Sequence, residues 1–305
     1  MARLRRVRSR ETAMTKVKFI TDSACDLPES DAQAYGIKVL PIPITVDGRG
    51  YLERVDFNSQ EFYDILKASQ AIPTTAHITS LTYLEEYDKA VAQGAEAIIV
   101  ITISSTGSAM KDAANLAKDM YFDEHPDKKQ SLEIYVVDSL NYTMAYGLPI
   151  IDAVKLVREG KTARETADYL TDYFTRVEIL FTPFTLEYAK KSGRIGVAAA
   201  FVGEVLGLRP IISIIDGVMK IEDKVRGDKA VNPRMLELAK QRIADHKAPY
   251  LLVRGERDGM SEELAKACTR EFGHPPVGIY YIGACIAINS GPDVVGIAYL
   301  GKKRR

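Results

Sequence analysis

The 305-residue chain has no tryptophan, four histidines, three cysteines and no excess of either charge, its 41 Lys and Arg being matched by 41 Asp and Glu. Each scarcity removes a class of function. Cys25, Cys268 and Cys285 are odd in number and include no C-x-x-C pair, which argues against a disulfide framework and a zinc site and fits a reducing cytoplasm. Balanced charge supplies no global basic field of the kind that draws proteins to nucleic acid or anionic membranes. No apolar run approaches the ~18 residues of a membrane-spanning helix. The longest, around 95–103 and 210–215, are strand-sized.

What is present is an ordinary globular composition, 46% hydrophobic and 27% charged, in a chain with room for about two domains of ~150 residues. The opening MARLRRVRSRETAMT is basic but lacks the apolar centre of a secretory signal. Residues 1–15 are therefore expected to be a disordered arm, with Met14 as the native start.

From residue 16 to 176, β-prone runs alternate with helical patterns. VKFITD (17–22) precedes a helix stopped at Gly36, and KVLPIPITV (38–46), with its two prolines, reads as an edge strand. A helix starts near Ser59, Ser80 is expected to cap the next, and AEAIIVITIS follows as a buried strand. Another strand (132–139) leads into an apolar helix from about Tyr142 to Glu159, and Thr162 with Glu165 forms a capping box for the next. Such alternation predicts a doubly wound parallel sheet. Residues 177–305 change character: LRPIISIIDGVMKIEDKVRG reads as a hairpin turning at Asp216 and Gly217. A helix from Pro233, the strand APYLLVRG, a helix capped by Ser261 and strands around 277–288 and 294–300 complete it. The expected fold is α/β in two domains, 16–176 with the parallel sheet and 177–305 as an α+β domain with hairpins, and a ligand cleft between them.

The stretch IVITISSTGSAMKDAANLA (99–117) has neither the G-x-x-x-x-G-K-[ST] spacing of a phosphate loop nor the G-x-S-x-G of a nucleophile elbow. It leaves Ser104, Ser105, Thr106 and Gly107 at a strand end, with Ser108 poised to cap the following helix. A strand end beside a helix N-terminus suits an oxyanion, yet on local pattern the favoured reading is that these serines only cap a helix. Thr74 and Thr75 in PTTAHITS read as turn residues or anion contacts. Arg194, beyond the glycine stop of TLEYAKKSGRIG, reads as a solvated side chain or a carboxylate contact.

In their order and spacing, FITDSACDLP, PTTAHIT, ITISSTGSA, YVVDSLNYTMAYG, LEYAKKSGRI, LRPIISIIDG with KVRG, and SGPDVVGIAY resemble the DegV family of fatty-acid-binding proteins, over nearly the whole chain beyond the arm. The resemblance implies two α/β domains with a long-chain fatty acid buried between them. It implies Thr74, Thr75, Ser104 and Ser105 as carboxylate contacts, Ser108 as a further one, and Arg194 and Arg226 at the rim and partner contact. It also implies an ATP-binding fatty acid kinase subunit as partner, with the carrier itself holding no ATP, cofactor or metal and catalysing nothing alone; transient contact with a membrane surface is compatible with this, nucleic acid is not expected. Apolar material for the tail is available in Phe201, Val202, Val205, Leu206, Ile212, Ile214, Ile215 and Ile286.

Several positions depart from the family pattern. Ala76 stands where Ser is usual after Thr-Thr, Ala109 and Met110 replace Gly-Thr, and Ser192-Gly193-Arg194-Ile195 replaces Gly-Gly-Arg-Ile. Asn289 opens a turn that often reads His-x-Gly-Pro-Gly; it can hydrogen-bond to a carboxylate but cannot become a cation near neutral pH. Two rival readings remain open: a serine-dependent acyl hydrolase using Ser105 or Ser108, and a regulatory or structural member with altered ligand binding.

Overall fold

The structure, a computed structural model, describes residues 17–196, 207–257 and 259–303. The expected arm, Met14, and Phe201, Val202, Val205 and Leu206 lie outside the described residues.

Strands β1 (Val17–Asp22) and β2 (Ile37–Leu40) open a parallel sheet. β3 (Pro43–Val46), β4 (Arg49–Leu52) and β5 (Thr74–Thr75) form a small antiparallel sheet of their own. β6 (Ala97–Thr102), buried at every position, and β7 (Glu133–Asp138) complete the first sheet in the order β2-β1-β6-β7, all parallel. The strand expected over 38–46 is thus two strands in two sheets. Pro41 and Pro43 have no N–H to offer a ladder, and the Ile42 N–H between them donates to Ser23 Oγ at 3.0 Å.

Helices Ser80–Ala92 and Met110–Glu124 pack as one pair, and Met144–Arg158 and Ala163–Phe174 as another. The Thr162–Glu165 capping box forms, and Gly36 ends its helix in the left-handed conformation. Three expected caps differ. Thr79, not Ser80, accepts the first-turn N–H of Ser80–Ala92; Ala109 occupies the cap position that Ser108 was expected to fill; and Ser261 lies inside Met260–Phe272, behind Gly259.

The second sheet contains β8 (Val177–Pro183), β9 (Leu208–Ile215), β10 (Val218–Arg226), β11 (Tyr250–Arg254), β12 (Ile279–Tyr281) and β13 (Val294–Leu300), in the order β10-β9-β8-β13-β11-β12. All neighbours are antiparallel except β11 and β12. The β9–β10 hairpin turns at Asp216 and Gly217, both at positive φ (52 and 75°), which is the twist that a two-residue hairpin requires.

The strand expected over 277–288 is confined to Ile279–Tyr281, and Ala284–Ser290 is a helix. A short apolar run does not distinguish the two by periodicity. Here Asp26 and Glu53 accept the N–H groups of Gly283 and Cys285, both at 2.9 Å, and so start the helix from outside.

The strand period of two divides the second sheet. Leu180, Ile211, Leu252, Val295 and Ile297 pack with the helices Val231–Arg242 and Met260–Phe272. Ile179, Phe181, Ile212, Ile214, Val253 and Val294 belong instead to the core that is continuous with the parallel sheet.

Candidate functional site

A cavity of ≈ 410 Å³ lies between that inner face and the carboxyl ends of the parallel strands, within the size range of small-molecule sites. Its floor is apolar. Met219, Ile214 and Ile179 form one row across β10, β9 and β8, and Phe181, Gly296 and Val253 form a second across β8, β13 and β11. Gly296 leaves that row without a side chain at its middle, and an added Cβ would come within 2.8 Å of Val253. Cys285 and Ile286 of the 284–290 helix, and Ile282 just before it, close the cavity.

Its polar lining includes Thr75, His77, Ser108, Tyr142, Thr143, Arg194 and Asn289. Of the residues expected from sequence, Thr75, Ser108, Arg194 and Asn289 are therefore brought together, while Thr74, Ser104, Ser105 and Arg226 are not among the lining. Thr74 and Thr75 are neighbours in β5 and face opposite ways. Ser105 is exposed, and its N–H donates to Asp138 Oδ1 at 3.1 Å. Arg226 is exposed at the end of β10. Arg194 follows Gly193, left-handed at φ 68°, and donates to the Ser192 carbonyl at 3.0 Å. Asn289 donates to the Cys285 carbonyl of its own helix at 2.6 Å. Ile214 and Ile286 line the cavity, whereas Ile212 and Ile215 do not.

Ser104 is buried, and its hydroxyl pairs with Thr106 Oγ1 at 2.9 Å. Thr106 Oγ1 in turn donates to the Gly217 carbonyl at 2.7 Å. Part of the hydroxyl turn thus serves the fold, by seating the hairpin tip. Tyr142 and Thr143 were missed as site residues. The sequence carries no signal for them; in the structure Thr143 has φ 58° and ψ −156° just before a helix and does not cap it, and such strain in a β-branched residue clusters at functional sites.

Among the described residues no histidine hydrogen-bonds to Ser105 or Ser108, as a hydrolase would need. Among them, too, no group of three or more His, Cys, Asp or Glu is placed to hold a metal, and no helix is long and apolar enough to cross a membrane.

Beneath the site, fully buried Asp22 accepts from Tyr146 Oη (2.6 Å), the Ile103 N–H (2.8 Å) and the Ala24 N–H (3.2 Å). It joins the end of β1 to the hydroxyl turn and to the 144–158 helix. Burial pushes its pKa up to about 6 from the usual 3.8, against the opposing effect of these hydrogen bonds. The neutral carboxyl suits the site, so its contribution to stability is greatest below pH 3.8 and declines as pH climbs through about 6, by about 3 kcal/mol at 1.36 kcal/mol per pKa unit. Burial raises Asp26 and Glu53 in the same direction. Urea denaturation between about pH 4 and 7 should show the decline, and Asp22→Asn should lack its share of it. Identical slopes for the two proteins would refute this.

A family model described as "Uncharacterised protein, DegV family" matches residues 16–302. A DegV domain-containing protein of Clostridium perfringens (strain 13 / Type A) is 32% identical over 284 residues, covering 93% of this chain and 98% of that protein. Among solved structures, a DegV lipid binding protein from Thermotoga maritima has a TM-score of 0.81 at 26% identity, covering 95% of this chain and 100% of its own. The Fatty Acid Kinase (Fak) B3 protein of Streptococcus pneumoniae, loaded with linoleic acid, has a TM-score of 0.80 at 21% identity, covering 93% and 99%. At that identity the likeness is one of fold.

Proposed function

We propose, from the premise that this chain belongs to the DegV family, that it binds a long-chain fatty acid in the cavity between its two large sheets and presents the carboxylate to an ATP-dependent kinase partner. The observation that carries this reading is the cavity itself, apolar along its floor and edged by Thr75, Ser108, Asn289 and Arg194. At ~0.8 kcal/mol per buried methylene, a sixteen-carbon tail gains on the order of ten kcal/mol before ordering costs. Affinity therefore lies in the tail, and the head group needs only moderate holding. Hydroxyls of Thr75 and Ser108 can donate to one carboxylate oxygen and leave the other free, where a bidentate arginine would occupy both. The free oxygen attacks the terminal phosphorus of ATP held by the partner, forming the acyl phosphate as the bond to ADP breaks. In this reading the protein is a cytoplasmic carrier of two units, 16–176 and 177–305, and performs no chemistry alone.

Native mass spectrometry of the purified protein tests it. A co-purifying fatty acid mass is expected. Absence of lipid, together with failed reconstitution by saturated and unsaturated acids, would sink the reading, and a stoichiometric burst with an activated ester would favour the hydrolase instead.

Arg226 stands apart from the cavity and exposed, which suits contact with the partner rather than with lipid. Arg226→Ala should bind palmitate within about twofold of the parent yet support acyl phosphate formation about tenfold less well at limiting partner. Lost lipid binding with normal coupling would reverse the assignment.

A further inference from the structure

The residues that line the cavity differ in exposure. Most are buried or half-buried, whereas Ala76, His77, Ala109 and Arg194 are exposed. These four mark the mouth, and a tail laid along the apolar floor leaves its carboxylate there, where it need not be buried unpaired. The polar groups around the mouth are not equally free. Asn289 spends its amide on the Cys285 carbonyl (2.6 Å), and Arg194 donates to the Ser192 carbonyl (3.0 Å). Among the described residues neither ring nitrogen of His77 has a partner. The other three histidines each meet one: His125 lies 3.7 Å from Asp88, His246 is 3.4 Å from the Lys240 carbonyl, and His274 is 2.9 Å from the His246 carbonyl. The backbone that carries His77 is held, because the Ala76 N–H donates to the Pro43 carbonyl at 2.9 Å.

We propose that His77 is the cationic contact for the ligand's carboxylate, and that its protonated ring lets the mouth distinguish a free fatty acid from a neutral ester. This rests on the carrier reading, since it adds a residue to the same site. One ring N–H reaches one carboxylate oxygen, so the other stays open for transfer, which a bidentate arginine would not allow. A neutral imidazole still carries one N–H, so deprotonation weakens the contact without abolishing it. Affinity for the carboxylate therefore rises as pH falls through the range where an imidazole titrates. Of the other ionisable groups in the lining, the Arg194 guanidinium stays charged throughout, and burial raises the Cys285 thiol and the Tyr142 phenol, so both stay neutral. Behind the lining, Asp22, Asp26 and Glu53 have carboxyls raised by burial and respond in part of the same range, so a variant of His77 rather than the parent alone decides the matter.

The test is fluorescence titration of delipidated protein with cis-parinaric acid, a fluorescent fatty acid, and with its methyl ester, at pH 8 and pH 5.5. His77→Gln keeps an N–H and cannot become a cation. It should bind the acid within about twofold of the parent at pH 8 and about fivefold more weakly at pH 5.5, the loss of one exposed charge-assisted contact. His77→Lys should restore the low-pH affinity, and for the methyl ester parent and His77→Gln should match at both pH values. No deficit in His77→Gln would overturn the assignment and leave the carrier reading standing. So would a deficit equal at both pH values or shared by the ester, which would make the ring a packing contact. A parent protein that binds neither cis-parinaric, palmitic nor oleic acid at either pH would overturn both readings.

Discussion

Replacing Glu53 with alanine is expected to cost about 3–5 kcal/mol of stability and to abolish fatty acid binding at 37 °C. The side chain is 1% exposed and its two oxygens are both used: Oε2 accepts from Ser23 Oγ at 2.5 Å, Oε1 from the Cys285 N–H at 2.9 Å. Alanine would leave two buried donors without an acceptor, at about 1–3 kcal/mol each, and a void besides. The loss falls where the fold has least to replace it. A seven-residue helix is too short to persist on propensity, and this one is started by Glu53 and Asp26 from the other half of the chain. Its residues Cys285, Ile286 and Asn289 would leave the cavity wall with it. Glu53→Gln keeps an acceptor for one of the two donors, and burial already favours the neutral form of the acid, so it should cost about 1 kcal/mol. Urea denaturation with palmitate titration distinguishes the two variants. An alanine variant as stable as the parent would show that the 282–285 clamp holds nothing.

The same helix marks where the sequence stops being legible. The parallel sheet could be read because its strands and helices are each signalled locally, by a buried run such as 97–102 or a capping box such as Thr162 with Glu165. The hairpin was legible for the same reason, Asp216 and Gly217 being the residues that a two-residue turn demands. Residues 284–290 carry no such signal, because what makes them helical is a carboxylate 232 positions away. Site residues followed the same division. That Thr75 faces the cavity and Thr74 does not depends on the phase of a two-residue strand, which composition does not encode. Ser108 reaches the cavity because Ala109, one residue later, occupies the helix cap. Ser104, a carboxylate contact by the resemblance, pairs instead with Thr106, which is spent on Gly217, a partner 111 positions on.

Ile179→Trp is expected to weaken palmitate binding by a factor on the order of 10 to 30 while leaving the protein folded. Ile179 sits on β8, flanked by Ile214 of β9 and Ala298 of β13, and is 3% exposed on the cavity floor. An indole in place of the isoleucine side chain adds the space of about two methylenes. At ~0.8 kcal/mol each, excluding them removes about 1.5–2 kcal/mol of tail burial, which is the stated loss in Kd. The empty cavity takes up the added ring, so the overpacking penalty in the lipid-free protein should stay within about 1–3 kcal/mol. Octanoate has too few methylenes to need the whole floor and should lose less than palmitate does. Equal losses for both acids would place the damage at the head group. Unchanged palmitate affinity would mean that the tail lies elsewhere in the molecule, and the carrier reading would lose the observation on which it stands.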